Sequence, residues 1–529
     1  MKKIPVLIFS LLVLLAACNK KLELRPRNGL TSDAVYATPD GYKNSLAKLY
    51  GAFALTGNVG PNGNGDVQGI DEGTADFLRL FWKAQELSTD EAVVAWGDPG
   101  IQDFHNMNWT SDNPMLKGLY YRSFYQIDLA NEFIRQSSDA NLVKRNITGS
   151  EADNIRQYKR EARFLRAFQY WMLMDLFANP PFVDESSAIG GAPPPQKSRA
   201  DLFTWVENEL KAIEPDMLAP RANEYGRADK AAVWSLLARM YLNAQVYTGT
   251  AKYTDAITYS KKVIDAGYGL INNYQWLMRA DNQQNWGPGG EFIFTINYDG
   301  RYTQNWGGTT FLTHASVGGP NMVAAQFGID GGWGGIRCTK NLPQLFPDVT
   351  GTADKRAQFY TNGQNLDIFS LTTFTDGYAI TKYKNITRTG GPGSNQTWTD
   401  IDFPLFRLPE MYLIYAESVL RGGTGGDAGT ALTYINALRT RAYTNTSGNI
   451  TAGQLTLDFI LDERARELYW EGFRRTDLVR YNKFIENSYL WPWKGGVAGG
   501  TGVAATRKIY PLPSSDVVAN PNLTQNPGY

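Results

Sequence analysis

Residues 86–98 read ELSTDEAVVAWGD: two adjacent acids, an apolar run, a tryptophan, a glycine turn and another aspartate. Two kinds of chemistry use such residues. A carboxylate pair can supply the acid and base of a glycosidase, facing each other across the scissile bond at about 5 to 9.5 Å. A tryptophan beside acids can instead stack on a sugar while carboxylates accept from its hydroxyls, and no bond breaks. Asp90 and Glu91 are sequence neighbours, so their side chains point to opposite faces of a strand or diverge by about 100° on a helix. That spacing argues against a catalytic pair and assigns Asp90 to bracing the local turn, with pairing to a sequence-distant acid left open.

Other catalytic constellations are missing. The chain has no P-loop, no G-x-S-x-G elbow and no H-E-x-x-H, and its only histidines, His105 and His314, read as surface or hydrogen-bonding residues. Asn62-x-Asn64-x-Asp66 starts like a calcium loop but lacks the glycine and terminal glutamate of an EF-hand. It reads as a turn, so no cofactor is expected, with a loop-bound calcium of irregular geometry left open. The tryptophans say more. Eight of the fourteen fall in loop-like sequence: Trp96, Trp109, Trp286, Trp306, Trp333, Trp398, Trp491 and Trp493. Trp171, Trp205 and Trp234 sit at core positions of helices. Loop tryptophans among Gly, Asn and Asp suit a carbohydrate site, although any single one can equally plug a loop onto the body.

Helices must position these loops. Apolar residues recur three and four apart over 115–137, 153–178, 199–213, 228–247, 251–266, 405–421, 427–443 and 456–485. Short connections favour antiparallel helix hairpins. Trp234, Leu237, Ala238 and Tyr241, with Ala256 and Tyr259 on the next helix, match tetratricopeptide spacing, and a weaker echo runs from Tyr412 to Ile435. Over 461–480 the pairs Asp462–Arg466 and Glu471–Arg475 support a salt-bridged structural helix. Helical periodicity fades between 270 and 404, where Gly, Asn, Thr and Trp accumulate, and Glu291 to Asn297 reads as one short strand. Long loops on a helical scaffold usually carry binding.

The amino end addresses location. Lys2 and Lys3 precede a 14-residue apolar run, Ile4 to Ala17, which stops at Cys18. A bilayer-spanning helix needs about 20 residues, so the run reads as a signal peptide, residues 1–17. Leu15-Ala16-Ala17-Cys18 fits a lipobox, making Cys18 the lipidation site and an acyl anchor the membrane tether. Cys338 is the only other cysteine, which leaves no disulfide pair in the mature chain. The chain holds 52 basic and 52 acidic residues with no basic stripe, which removes the electrostatic footprint of a nucleic-acid binder.

The chain resembles the SusD/RagB outer-membrane lipoproteins from end to end. The resemblance rests on LLAACNK, on QELSTDEAVV at 85–94 and on EARFLRAFQYWMLMDLFANPPFV at 161–183. It continues through GRADKAAVWSLLARMYLNA at 226–244, FRLPEMYLIYAESVLRGG at 406–423, ILDERARELYWEGFRRTDLVRY at 460–481 and IYPLPSSDVVANPNLTQNPGY at 509–529. It implies a mainly α fold of tetratricopeptide-like helix pairs with loop-rich irregular segments and a few short strands. An N-terminal helical region, 18–269, is followed by a C-terminal region, 270–529, carrying ligand-side insertions. The resemblance also implies a non-enzymatic, cell-surface, lipid-anchored protein of the outer membrane. Such a protein binds an oligosaccharide and delivers it to a SusC-like TonB-dependent transporter. A peptide ligand, as in RagB-like uptake, is the alternative, and a surface glycoside hydrolase is the third reading. By position, the candidate ligand-binding residues are Trp96, Asp98 and Trp109 after the STDE motif and Tyr302, Trp306 and Trp333 in the 298–337 loops.

Overall fold

The computed structural model describes residues 31–61 and 65–529. The signal peptide, Cys18, Asn62 and Asn64 lie outside the described residues. Helix accounts for 47% and strand for 5%, so the protein is mainly α. The longer helices are α1 (Pro39–Ala54), α2 (Phe77–Glu86), α3 (Pro114–Gln136), α4 (Gly149–Phe177), α5 (Arg199–Ile213) and α6 (Lys230–Leu242). They continue as α7 (Tyr253–Ile264), α8 (Gly308–Ala315), α9 (Leu408–Leu420), α10 (Ala428–Tyr443) and α11 (Leu457–Leu468), followed by the short α12 (Arg474–Arg480). Their starts follow local chemistry. Asn113 accepts from Met115 N and Leu116 N with Pro114 in the first turn, and Asp229 accepts from Ala231 N and Ala232 N.

Consecutive helices pack as expected, α3 on α4, α4 on α5, α6 on α7 and α9 on α10, while α7 joins the last two pairs by packing on α9. Leu237, Ala238, Tyr241 and Ala256 are fully buried between α6 and α7. Among the described residues, three antiparallel strand pairs stitch the irregular segments. β1 (Val93–Val94) pairs with β3 (Ile336–Arg337), β2 (Phe292–Ile296) with β6 (Phe403–Arg407), and β4 (Phe359–Tyr360) with β5 (Ala379–Ile380).

Some expectations need correction. The 228–247 segment breaks at Asn243 into α6 and a short helix, Ala244–Thr248. The start of 405–421 is strand β6, and α9 begins at Leu408. The single helix over 456–485 is interrupted between α11 and α12, where Trp470 (φ 63°) and Gly472 (φ 82°) are left-handed. A side chain at 472 would also place its Cβ 2.7 Å from Phe81, so the break depends on glycine. Helices α1, α2 and α8 have no counterpart in the periodic runs; α2 and α8 are buried at every residue, which erases the polar stripe that marks a surface helix.

The charges of 461–480 are structural, with different partners from those read by spacing. Arg466 pairs with Glu463, Arg475 donates to Lys508 O, and Glu471 receives Lys382 and Arg407. Glu467 is held by Arg356, Arg407 and Arg441, whose charges draw its carboxyl down to about 2. Among carboxylates this deep, complete pairing is what keeps the charged form in place.

Candidate functional site

Four half-buried indoles form a continuous arc. Trp96 meets Trp333 at a centroid distance of 6.4 Å and 43°, Trp333 meets Trp306 at 6.0 Å and 59°, and Trp306 meets Trp398 at 5.7 Å and 45°. Each ring plane is turned from the next, so the surface bends and a flat ribbon cannot lie on all four faces.

The arc is brought together by one buried helix and one strand pair. β1 and β3 are antiparallel, with Val94 opposite Ile336 and Ala95 N donating to Gly335 O at 2.8 Å. Trp96 and Trp333 leave adjacent ends of this ribbon, and Trp96 Nε1 donates to Trp333 O at 3.2 Å. Gly335 lets the two meet, since a Cβ there would sit 2.2 Å from the Trp96 ring. Helix α8, buried along its whole length, holds the rest. Trp306 precedes its first turn. Thr310 Oγ1 accepts from Thr399 N at 3.1 Å, and Thr309 Oγ1 donates to Ile401 O at 2.6 Å, fixing the Trp398 loop. At the other end His314 O accepts from Trp333 N, and Ala315 O from Gly335 N, both at 2.8 Å.

Beneath the rings lies a buried electrostatic frame. Asp76 Oδ1 accepts from Arg79 N at 3.1 Å and Gly308 N at 3.0 Å, so one carboxylate oxygen serves the first turns of both α2 and α8. Arg79 places its guanidinium 4.7 Å from the Phe311 ring and 5.6 Å from that of Trp96. The same group donates to Gly73 O at 2.6 Å and Trp306 O at 2.8 Å, linking two arc members through one cation. Burial lowers Arg79 to about 10 and holds Lys83, one turn further along α2, well below its ordinary value. Asp98, exposed at the rim, contributes charge that favours both cations. His314 stacks on Trp333 at 4.8 Å and 25°, with Nδ1 2.6 Å from Gly331 O. Burial holds its pKa below 6.5, so a neutral ring supports the arc at pH 7.

The structure sorts the residues singled out by sequence. It places Trp96, Trp306 and Trp333 side by side and Asp98 in the loop just beyond Trp96. Tyr302 is 80% exposed at the tip of a turn made by Asp299 O accepting from Tyr302 N and Thr303 N. That turn is tied to the Trp398 loop through Gly300 N, which donates to Asp400 Oδ1 at 2.7 Å. Trp109 does not join them. It is fully buried, its Nε1 donates to the Tyr529 hydroxyl at 2.7 Å, and it packs on Tyr510 at 4.7 Å, so it anchors the carboxyl terminus in the core. Trp398, Arg79 and His314 were missed. Trp398 carried the same loop signal as its neighbours, whereas nothing local marks Arg79 or His314 as supports. The two histidines are buried and hydrogen-bonded, not surface residues.

The opening acids are taken up in structure. Asp90 binds Arg474 with both oxygens at 2.6 Å and accepts from the Tyr489 hydroxyl, a contact across 384 residues of sequence and no local turn brace. Glu91 accepts from Trp470 N at 3.1 Å, and burial together with the neighbouring Asp90 charge raises it to about 7. Neither faces solvent. Asp66, the described end of the calcium-like segment, is occupied by Lys48 at 2.8 Å and Arg122 at 3.4 Å.

A model described as the SusD family matches residues 360–529. The starch-binding protein SusD of Bacteroides thetaiotaomicron is 36% identical over 92% of this chain and 91% of its own length. The chain belongs to the SusD family. SusD family proteins are non-catalytic binding proteins, in keeping with the buried acids. SusD-like protein P38 of Formosa agariphila is 24% identical, covering 99% of this chain and 98% of its own. Among solved structures, a SusD-like carbohydrate-binding protein from Bacteroides fragilis superposes with TM-score 0.71 at 21% identity, over 93% of this chain and all of that one. Surface glycan-binding protein A of B. thetaiotaomicron, in complex with laminarihexaose, gives TM-score 0.67 at 21% identity, over 92% and 99%. At these identities the superpositions speak for the SusD-like fold alone.

Proposed function

We propose that this SusD family member binds a curved glucan of the starch type on the arc of Trp96, Trp333, Trp306 and Trp398, with Tyr302 and Asp98 at its rim. The observation that carries the reading is the bend of the arc. Successive indoles turned by 43°, 59° and 45° suit sugar faces along a coiled α-linked chain better than a flat β-linked ribbon. Homology to a starch-binding relative supports the same class. The mechanism is capture without chemistry: the frame of Arg79, Asp76 and α8 holds the rings before ligand arrives, so little ordering cost falls on binding. In the full reading, Cys18 is acylated, the protein faces the cell exterior at the outer membrane, and it passes oligosaccharide to a SusC-like TonB-dependent transporter.

Titration calorimetry with maltoheptaose and with cellohexaose tests the ligand class. Saturable heat is expected from the first and none from the second. Peptide binding with no affinity for any soluble glucan would overturn the reading in favour of RagB-like uptake. For the anchor, Cys18→Ala is expected to leave the outer-membrane fraction in cells lacking the transporter, and its retention there would contradict acylation as the tether.

A further inference from the structure

Away from the arc, one face of α3 builds a pocket of different chemistry. Tyr120, Phe124 and Asp128 recur every fourth residue and so line one stripe, with Tyr121 alongside. With Asp516 and Leu523 of the C-terminal segment they surround a cavity of about 320 Å³. The Tyr120 ring meets Phe124 at 4.8 Å and 53° and Tyr121 at 5.7 Å and 66°, making an aromatic wall. Two carboxylates border it. Asp516 Oδ1 accepts from the Tyr121 hydroxyl at 2.7 Å, a neutral donor. Asp128 feels the charge of Arg135, which is itself engaged by Glu132 and by Glu185 O. Lys117 approaches the Tyr121 ring at 5.7 Å. Tyr120 itself is 1% exposed, and its buried hydroxyl lies beside the Asp516 carboxylate at the back of the pocket.

We propose that this pocket is a second binding site, for an alkylammonium group. Ring faces carry negative quadrupole potential and the bordering carboxylates carry full charge, so both attract a cation. An anion meets repulsion from each of these groups. A neutral sugar would bring no counter-charge to Asp128 and Asp516, whereas an ammonium supplies one to both. The ammonium can belong to a free amine or to a lysine side chain on a polypeptide.

Saturation-transfer NMR on the mature full-length chain, with n-butylammonium as probe and n-butanol as the uncharged match, tests the site. Saturable transfer to butylammonium is expected, weakened about tenfold by Asp128→Asn and by Asp516→Asn. Asp128 is exposed and makes no side-chain hydrogen bond, so Asp128→Asn is expected to keep the wild-type melting temperature and glucan affinity. Competition by N-acetyl-lysine methylamide would assign the site to polypeptide-borne lysine, and failure to compete would assign it to free amines. Equal transfer to butanol, no transfer to butylammonium, or undiminished affinity in the double variant would overturn the proposal.

Discussion

Trp333→Ala removes an inner ring of the arc without touching the backbone acceptor used by Trp96. Trp333 contacts Trp96, Trp306 and His314 through its ring, so its loss opens both neighbouring junctions. A pyranose face laid on an indole withdraws on the order of 100 Å² of apolar surface from water, which at about 25 cal/mol/Å² is ~2.5 kcal/mol. Some of this is retained because Trp96 and Trp306 remain, so about 2 kcal/mol, or ~30-fold in Kd, is the expected loss for maltoheptaose. The assay is titration calorimetry at 25 °C on variants whose melting curves are recorded in parallel. Trp109→Phe is the control: it disturbs the packing around Tyr510 and Tyr529, lowers stability, and leaves affinity unchanged. A folded Trp333→Ala protein binding maltoheptaose within twofold of wild type would refute the stacking argument.

Arg79→Met keeps the side-chain bulk but removes the donors to Gly73 O and Trp306 O; glucan affinity should fall about tenfold by calorimetry as Trp96 and Trp306 lose their common support. Asp90→Ala strips the buried Arg474 of its bidentate 2.6 Å partner, leaving only Glu91 at 3.7 Å, and should cost about 3 kcal/mol in urea unfolding while glucan affinity in the folded fraction holds. Asp402, accepting from Tyr298 N and the Tyr225 hydroxyl, is raised by burial from 3.8 to about 7. The folded state therefore holds a proton that the unfolded state releases, and stability falls by on the order of 4 kcal/mol as pH rises from about 4 to above 7. Asp402→Asn should flatten that decline in urea midpoints between pH 5 and 8. Glu91 contributes with the same sign, and Glu467, at about 2, contributes stability lost only as pH falls below about 4.5.

The helical half was legible because amphipathic periodicity reports directly on which face is buried, and α3, α5, α7 and α10 begin and end close to their periodic runs. α2 was not, because burial on every side leaves no stripe even though FLRLFWKAQE contains two cations and an acid. For the site, Gly- and Asn-rich context marked Trp96, Trp306 and Trp333, and that signal reflects a real cause: glycine such as Gly335 is needed where an indole lies against backbone. The same context surrounds Trp109, whose fate is decided by Tyr529, 420 residues away. Asp90 shows the same limit. Its spacing from Glu91 excluded a catalytic pair, but its partner Arg474 lies 384 residues on and could not be read from local pattern.

A crystal structure of the protein with maltoheptaose bound tests the central claim most directly. Glucose rings lying against the exposed faces of Trp96, Trp333 and Trp306, with the chain following the bend of the arc, is the predicted result. An oligosaccharide seated elsewhere on the molecule, with those three indoles uncovered, would contradict it.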